Sequence, residues 1–355
     1  MRKHVLILCG GRSEEHEISL ISAKGILSAL DRTRFEPVLV GLSRQGVWYL
    51  ENEETYFEGP FRADRIKLNE KAPTVNLSPY SVGGQGLLTG EFGRVVFDVV
   101  FPILHGPFGE DGTIQGLFDI MAVPYVGSGC QSSAVCMDKE LTKVLTQAHN
   151  IPGADFVMLS KETSLNRSAL THLGFPVFVK PARLGSSVGI SKANTWPEVE
   201  AAVKVALQYD TKCLIEKGVK GREIECGVLG HTFQAKASLP GEIIPAPSVG
   251  WYSYEAKYLM NDGAKTRTPA HLDEGTVKRI QDLALKAFAT LECEGMARVD
   301  MFLEDGTGKL YLNEVNTIPG FTPISMYPKM WEATGISYAQ LITTLIELAL
   351  SKKLS

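Results

Sequence analysis

Apolar runs and amphipathic stretches follow one another along the first part of the chain. Residues 5–8 are apolar and end at two glycines, and the next apolar run occupies residues 37–40. Between them, small and apolar residues recur with the spacing of one helix face: Ile18, Ile21, Gly25 and Ala29. Strand, helix and strand in this order predict a parallel βαβ unit, and hence an α/β fold.

A second buried strand is predicted later in the same region. Residues 95–104 are apolar apart from Asp98, and such a run is typical of a strand covered on both faces. We expect a ligand near the loop that follows, residues 105–112, because ligands favour the carboxyl ends of such strands. Residues 51–93 are polar with weak periodicity and indicate a surface excursion within the first lobe. We assign no catalytic or binding role to them. A helical stretch is then predicted to carry Val135, Leu141, Val144 and Ala148.

The chain is long enough for three lobes. A boundary near residue 138 makes residues 1–138 an N-terminal α/β domain. Residues 139–220 then form a small central lobe, and residues 221–355 form a more β-rich C-terminal lobe with a long polar loop at 251–268. The last helix is predicted to be amphipathic, with four apolar residues on one face: Ile342, Leu345, Ile346 and Ala349.

Composition excludes several classes of protein. Hydrophobic residues make up 44% of the 355 residues and charged ones 21%, which excludes a disordered or fibrous chain. The net charge of −4 provides no basic field for nucleic acid or an anionic membrane. The apolar stretch near the N-terminus is too short for a secretory signal, and no run approaches the roughly 18 residues of a membrane span. We therefore expect a soluble cytoplasmic protein whose six cysteines, none of them in a CxxC pair, are reduced.

A glycine-containing loop follows a predicted strand in the central lobe. Lys180 stands at the strand end, and small residues continue to Gly189. The backbone N–H groups of such a loop can approach phosphate oxygens closely, although the pattern alone is equally typical of a tight turn. It is not a Walker loop, because the only Gly-Lys pair, Gly308-Lys309, is followed by leucine and lacks the earlier glycine.

Acidic and amide side chains recur on two predicted strands of the C-terminal lobe. If the strands are neighbours, period-two alternation places Arg298 with Asp300 on one face and Glu314 with Asn316 on one face. Three hard oxygen ligands then converge, which suits magnesium bound to substrate phosphates. Cross-strand surface salt bridges are the alternative. We expect this acidic ladder and the glycine loop to face each other across one cleft that holds a triphosphate.

Five segments of the chain resemble the D-alanine:D-alanine ligase family of ATP-grasp enzymes. They are GGRSEEHE at 10–17, HGPFGEDG at 105–112, the glycine loop at 180–189, EAKY at 255–258, and YLNEVNTIPG at 311–320 with Ser325-Met326 beyond it. The segments occur in the family's order, and the resemblance covers roughly residues 3–350. It implies a three-lobed ATP-grasp fold with the nucleotide site between the central and C-terminal lobes.

The resemblance also implies an activity, which is the joining of two D-alanines for peptidoglycan precursor synthesis. An acyl phosphate forms on the way, and ADP and phosphate are released. ATP and two Mg²⁺ or Mn²⁺ ions are implied, as is a homodimer. The matching ATP-binding positions are Lys139, Lys180, Ser187, Glu216, Lys217, Val219, Glu223, Lys257, Phe302 and Asn313. The matching metal ligands are Asp300, Glu314 and Asn316.

Positions that match the family's substrate and catalytic residues occur in all three lobes. Glu15 matches the carboxylate that receives the ammonium group of the first D-alanine, and His105 matches a first-substrate contact. Arg298 and the Gly320 N–H group match the oxyanion site. Ser325 and Met326 match the region of the second substrate's carboxylate. Tyr258 matches the lid residue of loop 251–268, which forms a hydrogen-bonded triad with Ser186 and Glu15.

Several alternatives stay open at the level of sequence. A relative that adds D-lactate or D-serine is the nearest, and Tyr258 argues against lactate because lactate-using members carry Phe or His there. Others are a nucleotide-binding module without catalysis and an ATP-grasp ligase for larger substrates. His105 could be satisfied by backbone at a strand end, and His16 is expected to be structural. Glu110 and Asp111 are metal ligands by type, but Asp111 is better explained as a helix N-cap.

Overall fold

A computed structural model describes residues 2–60, 62, 65–163, 165–246, 264–322 and 324–352. Up to residue 138 it contains, in chain order, β1 (Lys3–Gly10), α1 (His16–Ala29), β2 (Phe35–Leu42), β3 (Trp48–Glu51), β4 (Phe57–Glu58), β5 (Lys67–Leu68), β6 (Asn76–Leu77), β7 (Gly86–Gly90), β8 (Gly93–Phe97), β9 (Val99–Pro102), α2 (Thr113–Ile120) and α3 (Cys130–Met137). The main sheet has the order β3-β2-β1-β9, and β1 is parallel to both β2 and β9. The predicted βαβ unit is therefore confirmed.

The central part of the chain folds around a four-stranded antiparallel sheet. Its elements are α4 (Lys139–Ala148), β10 (Phe156–Ser160), α5 (Arg167–Leu170), a 3₁₀ turn (Thr171–Leu173), β11 (Val177–Pro181), β12 (Ser191–Ala193), α6 (Trp196–Tyr209) and β13 (Lys212–Lys217). The strand order is β10-β13-β11-β12. Apolar residues of α6 cover one face of this sheet, which leaves the other face available to the C-terminal lobe.

The C-terminal part is built on a larger antiparallel sheet. Its elements are β14 (Gly221–Gly230), β15 (Lys236–Ala237), β16 (Gly241–Pro245), β17 (Ala264–Arg267), α7 (Glu274–Thr290), β18 (Gly295–Glu304), β19 (Leu310–Asn316), α8 (Met326–Ala333) and α9 (Tyr338–Ser351). The order is β17-β16-β14-β18-β19, with β15 paired to β14. Each main sheet lies within one predicted lobe, whereas the lobe boundaries themselves stay a prediction.

The last two helices belong to a core that they share with the N-terminal sheet. Leu341, Ile342, Leu345 and Ile346 of α9 pack in one cluster with residues of β1 and β9, and Trp331 of α8 is in the same cluster. The amphipathic face predicted for α9 is thus confirmed, but it covers the N-terminal lobe as well as its own. This packing ties the two ends of the chain together.

Several details of the predicted N-terminal lobe were wrong. The run 95–104 is two strands, because the Asp98 carboxylate turns inward to accept from the His4 N–H at 2.7 Å and from Lys3 at 2.9 Å. The described part of the excursion at 51–93 contains four complete short strands, β4 to β7, and its Leu88 is fully buried. The apolar face predicted for α1 is only partly buried. The helix is covered on two sides, and a second apolar face, which includes Leu20 and Ala23, is fully buried.

The stretch predicted as one helix around residue 138 is two helices. Asp138 ends α3 and caps α4, because its carboxylate accepts from the N–H groups of Glu140 and Leu141. Leu141 and Val144 are 45% and 51% exposed, so the expected apolar face of α4 points outward. The helix buries a polar face instead, and Lys143 lies on it.

In the described part of the chain, no single helix is both long enough and apolar enough to cross a membrane. Helices α8 and α9 reach the required length and hydropathy only together, and they are bent by 104° at their junction.

A buried carboxylate in the N-terminal lobe lacks the hydrogen bonds that burial normally requires. Glu51 at the end of β3 is 8% exposed, and within the described ranges neither of its oxygens has a hydrogen-bond partner. Burial raises the pKa of Glu51 to about 8. The side chain is therefore mostly protonated in the folded protein near neutral pH.

We expect Glu51→Gln to stabilise the protein above neutral pH. The unfolded chain ionises Glu51 from about pH 4.5 upward, while the folded protein keeps it neutral until about pH 8, so stability falls across this window. Each pKa unit corresponds to about 1.4 kcal/mol. Urea unfolding at pH 5 and pH 9 should show a gain only at the higher pH. Glu91→Gln, at an exposed turn, is the control; an equal gain at both pH values would contradict the assignment.

Candidate active site

A cavity of about 720 Å³ lies between the central and C-terminal lobes. Residues of β11, β13 and the glycine loop form one wall, and residues of β14, β16, β18 and β19 form the other. The glycine loop and the acidic ladder therefore face one cleft, as expected from the sequence. Predicted residues that line it are Lys139, Lys180, Ser187, Glu216, Lys217, Val219, Glu223, Arg298, Asp300, Phe302, Asn313 and Glu314.

Lys180 stands where the two walls meet. Its ammonium group lies 3.0 Å from Oε1 of Glu216 on β13 and donates to Oδ1 of Asn313 on β19 at 3.2 Å. Glu216 is 3% exposed and also pairs with Lys143 of α4, at 2.9 Å. Burial raises the pKa of Glu216, but the two lysines outweigh it and hold the pKa at about 2. This corner of the cavity therefore carries a net positive charge, which suits a phosphate group.

The stem of the glycine loop is anchored to neighbouring elements. Arg183 donates its backbone N–H to Asp210 at 2.8 Å and its guanidinium to the same carboxylate. Lys139 donates its backbone N–H to Ala182 at 3.0 Å and its ammonium group to the Leu184 carbonyl at 2.5 Å. These bonds place the Lys139 and Lys180 ammonium groups at the base of the same loop.

Two serines at the turn of the loop adopt an unusual backbone conformation. Ser186 and Ser187 have φ angles of 52° and 59°, in the left-handed region that costs non-glycine residues energy. The strain keeps the loop tightly curved, so that successive backbone N–H groups can point to one side, as in an anion-binding nest.

The acidic ladder is built as predicted. Strands β18 and β19 are antiparallel neighbours, with Arg298 opposite Asn316 and Asp300 opposite Glu314. The Arg298 guanidinium donates to both Asp300 oxygens, at 2.8 and 2.7 Å, and the Asn316 amide donates to Asp300 at 2.9 Å. Arg298 therefore lies at the cleft with its fork held by a carboxylate.

A further carboxylate beside Arg298 was not predicted. Glu225 of β14 is the strand partner of Asp300 and lines the cavity. One of its oxygens lies 3.3 Å from Nε of Arg298. Arg298 is thus shared between two carboxylates, Asp300 on its own strand and Glu225 on the neighbouring strand.

The donor set fits a divalent cation. Asp300, Glu314 and Asn316 offer only hard oxygen ligands on the cavity side of two paired strands, as magnesium requires. The Asn316 amide nitrogen faces Asp300, which leaves its oxygen available for a cation. Among the described residues, no group of three or more His, Cys, Asp or Glu side chains could hold a metal ion, so a cation here would need the Asn316 amide oxygen beside the two carboxylates.

The first lobe brings Glu15 to the edge of the glycine loop. Glu15 immediately precedes α1, and a methyl group added at Gly185 would lie 3.7 Å from its Oε2 atom. A methyl group at Gly106 would lie 3.3 Å from the same atom. Glu15, the loop 105–112 and the glycine loop therefore meet, although they come from different lobes.

His105 and Glu110 link that loop to the C-terminal lobe. The His105 ring is 4% exposed; its Nδ1 lies 3.1 Å from the Ile318 carbonyl and its Nε2 lies 3.2 Å from Ser22 Oγ. Both ring nitrogens of His105 thus contact protein groups. These contacts favour a structural role for His105 over the predicted contact with the first substrate. Glu110 accepts from the N–H groups of Gly106, at 2.6 Å, and Ile318, at 3.2 Å. These contacts fix the start of the segment that leads to Gly320.

Gly320, Ser325 and Met326 form the far end of that segment. A methyl group at Gly320 would lie 2.9 Å from Ser325 Oγ, so the position has little room for a side chain. Ser325 precedes α8 and its Oγ accepts from the Thr322 N–H at 3.0 Å. Met326 is buried, with its sulfur 3.5 Å from Thr268 Oγ1.

Some predictions are corrected or lie outside the described residues. Asp111 is one position before the N-cap of α2, which is Gly112, yet its carboxylate still accepts from the Thr113 N–H at 3.0 Å. His16 is buried and bonded to the Gly11 carbonyl, as a structural residue would be. Lys257 and Tyr258 lie outside the described residues, as does most of loop 251–268.

Sequence reasoning missed Lys143 and Glu225 as parts of the site, and it considered Glu110 only as a metal ligand by type, without its contact to Ile318. Lys143 follows Lys139 by four residues, a spacing that places both on one helix face, and this signal was available. Glu225 follows Glu223 by two on a predicted strand, so it shares that residue's face. The role of Glu110 depends on Ile318, 208 residues away.

We expect Glu110→Gln to weaken the link between the first and third lobes. A glutamine offers one acceptor oxygen for two backbone N–H groups, so one of them is left unsatisfied, at a cost of about 1–3 kcal/mol. Thermal unfolding should occur at lower temperature, and the KM for the substrate that Glu15 is expected to bind should rise more than kcat falls. Glu53→Gln, in the exposed pair with Arg32, is the control. An unchanged melting temperature would contradict the bridging role.

Comparison with known proteins identifies the family to which the chain is similar. The family model described as D-ala D-ala ligase N-terminus matches residues 4–128, and the one described as D-ala D-ala ligase C-terminus matches residues 145–347. A D-alanine–D-alanine ligase of Shouchella clausii is 49% identical over 99% of this chain and 95% of its own.

Two solved structures are also similar. A D-Ala:D-Ser ligase from Enterococcus faecalis has a TM-score of 0.84 at 33% identity and covers 98% of this chain and 100% of its own. A D-alanine–D-alanine ligase from Bacillus anthracis, solved with ATP, has a TM-score of 0.72 at 26% identity and covers 98% of this chain and 97% of its own. The fold, the cleft and these matches together establish that the chain belongs to the D-alanine–D-alanine ligase family.

Proposed function

We propose that this protein joins two D-alanine molecules in an ATP-dependent reaction that forms ADP and phosphate, and that the product serves peptidoglycan precursor synthesis. The observation that carries the proposal is the single cleft in which Lys139 and Lys180 face Arg298 and the acidic ladder. A carboxylate activated by phosphoryl transfer requires cations for the phosphates and a further cation for the acyl centre, and this cleft provides both.

The reaction proceeds in two steps on this arrangement. The carboxylate of the first D-alanine attacks the γ-phosphate of ATP, the bond from the γ-phosphorus to the bridging oxygen breaks, and ADP leaves; the product is an acyl phosphate, a better acyl donor than the carboxylate. The neutral amine of the second D-alanine then attacks the acyl carbon, and phosphate leaves. Glu15 binds the ammonium group of the first D-alanine, the two lysines offset phosphate charge, and Arg298 with the Gly320 N–H stabilises the tetrahedral oxyanion.

The other predicted residues take supporting places in this scheme. Glu216, Lys217, Val219 and Glu223 hold the adenosine, with Phe302 and Asn313 beside it, and Ser186, Ser187 and the loop N–H groups cradle phosphate. Ser325 and Met326 bind the second carboxylate. Asp300, Glu314 and Asn316 would hold Mg²⁺ or Mn²⁺, which would offset the charge of the phosphates. The homodimer and the cytoplasmic location implied by the resemblance are further proposals.

A D-serine or D-lactate acceptor is the second candidate for the same site. The similarity to a D-Ala:D-Ser ligase at a TM-score of 0.84 favours it, because the two folds are alike throughout. The 49% identity to a D-alanine–D-alanine ligase and the tyrosine at position 258 favour D-alanine. We therefore propose D-alanine as the second substrate.

The purified protein with ATP, Mg²⁺ and D-alanine should release phosphate and form D-alanyl-D-alanine. Coupled phosphate release at pH 7.5, with product identified by mass spectrometry, compares D-alanine alone with D-alanine plus D-serine or D-lactate. L-Alanine should give no product. Preferential formation of the mixed product at neutral pH would show that the second substrate is misassigned.

Arg298→Ala should reduce kcat on the order of 10²- to 10³-fold, because a donor to the developing oxyanion is lost. Binding of a non-hydrolysable ATP analogue should persist. Arg279→Ala is the control, since Arg279 of α7 donates, within the described part of the chain, to the Gly308 carbonyl and to Thr276 and not to a residue of the cleft. Retained ligase activity in Arg298→Ala would exclude the oxyanion role.

A further inference from the structure

Lys143 contacts the nucleotide cavity through one residue of its wall. It lies on the buried face of α4, is 4% exposed, and its ammonium group is 2.9 Å from Oε2 of Glu216. Oε1 of the same carboxylate is 3.0 Å from Nζ of Lys180. Of the three residues, Glu216 and Lys180 line the cavity. A single buried carboxylate is therefore shared by two lysines, one of which faces the cavity.

The immediate surroundings of Glu216 offer few other charges. Its strand partners are Phe156 on β10 and Phe178 on β11, and the Lys143 ammonium group lies 5.6 Å from the centre of the Phe156 ring. Asn313, which accepts from Lys180, is neutral. Lys143 from α4 and Lys180 from β11 are the charged groups that act on the Glu216 carboxylate.

Lys180 has two competing tasks in the proposed function, because the closer its ammonium group moves to phosphate, the less of its charge remains beside Glu216. In the structure it neutralises Glu216, whereas the proposed function requires its ammonium group to bind ATP phosphate. Once Lys180 turns to phosphate, Glu216 keeps its charge in a buried position with one cation fewer. Burying a carboxylate without a cation is strongly unfavourable. Glu216 therefore needs a second partner that stays in place when nucleotide binds.

We infer that Lys143 is a positioning residue for nucleotide binding: by remaining paired with Glu216 it releases Lys180 to the phosphates of ATP. The inference rests on the proposed function, because it concerns the same cleft. It explains why α4 buries a lysine where the sequence pattern predicted an apolar face. Lys143 itself need not touch the nucleotide.

The ionisation of Glu216 agrees with this role. Burial raises its pKa, but the two lysines together hold it at about 2, so the carboxylate is charged at neutral pH. If Lys143 were absent, the departure of Lys180 would leave burial as the dominant influence, and Glu216 would take up a proton as nucleotide bound. In the natural protein this proton uptake is avoided.

The test measures binding of a non-hydrolysable ATP analogue with Mg²⁺, in the absence of D-alanine, by isothermal titration calorimetry. Four proteins form a double-mutant cycle: the natural protein, Lys143→Met, Glu216→Gln and the double variant. Lys143→Met should weaken binding on the order of 10- to 100-fold. In the Glu216→Gln background the same change should have little effect, because no charge remains to be neutralised. Lys143→Arg should bind nearly as well as the natural protein.

Proton linkage provides a readout that a purely structural role would not change. For Lys143→Met, titrations in buffers of different ionisation enthalpy should show proton uptake on binding. The affinity of Lys143→Met for the analogue should fall as pH rises, because in this variant the pKa of Glu216 is higher in the bound state than in the free state. The natural protein and Lys278→Met, which breaks an exposed pair with Asp282, should show neither effect.

The outcomes separate this inference from the proposed function. Equal weakening by Lys143→Met in both backgrounds, or no weakening in either, would overturn the inference alone. A protein that binds the analogue but forms no dipeptide would overturn the proposed function alone. If Lys143→Met fails to fold, the double variant should fold and bind as Glu216→Gln does; a double variant that binds much more weakly would overturn the inference.

Discussion

The cleft depends on the ionic cluster of Lys143, Glu216 and Lys180. A carboxylate that is 3% exposed remains charged only because two ammonium groups lie within 3.0 Å of its oxygens. The cluster joins α4, β11 and β13, and through Asn313 it reaches β19 of the opposite lobe. The same interaction therefore positions Lys180, the lysine proposed to bind phosphate, and connects the two walls of the cavity.

On the opposite wall of the cavity, a cation is shared by two carboxylates. Arg298 is held by Asp300 on its own strand and by Glu225 on the neighbouring strand. A guanidinium group between two carboxylates is fixed in orientation, and Arg298 would retain one partner if the other bound a cation as proposed. Both walls thus contain a charged group with two partners, and under the proposed function one partner would be exchanged for substrate without leaving a buried charge alone.

Packing far from the cleft brings the lobes to these positions. Helices α8 and α9 share a core with β1 and β9, and His105 and Glu110 bond to the backbone at Ile318. The segment to Gly320 therefore cannot shift independently of the loop beside Glu15. Residues expected to bind the first substrate and those expected to bind the oxyanion come from opposite ends of the chain, and this shared core determines their separation.

The sequence by itself determined the alternation of elements, the neighbouring strands that carry Arg298, Asp300, Glu314 and Asn316, and the loop after Lys180. These features follow from local periodicity and from motifs of a few residues, which operate without distant contacts. Only the tertiary structure decided that Asp98 breaks a strand, that α4 buries Lys143 and exposes Leu141, and that α9 covers the N-terminal lobe. Each of these outcomes depends on a partner remote in sequence, because the burial of a polar or apolar side chain depends on what packs against it.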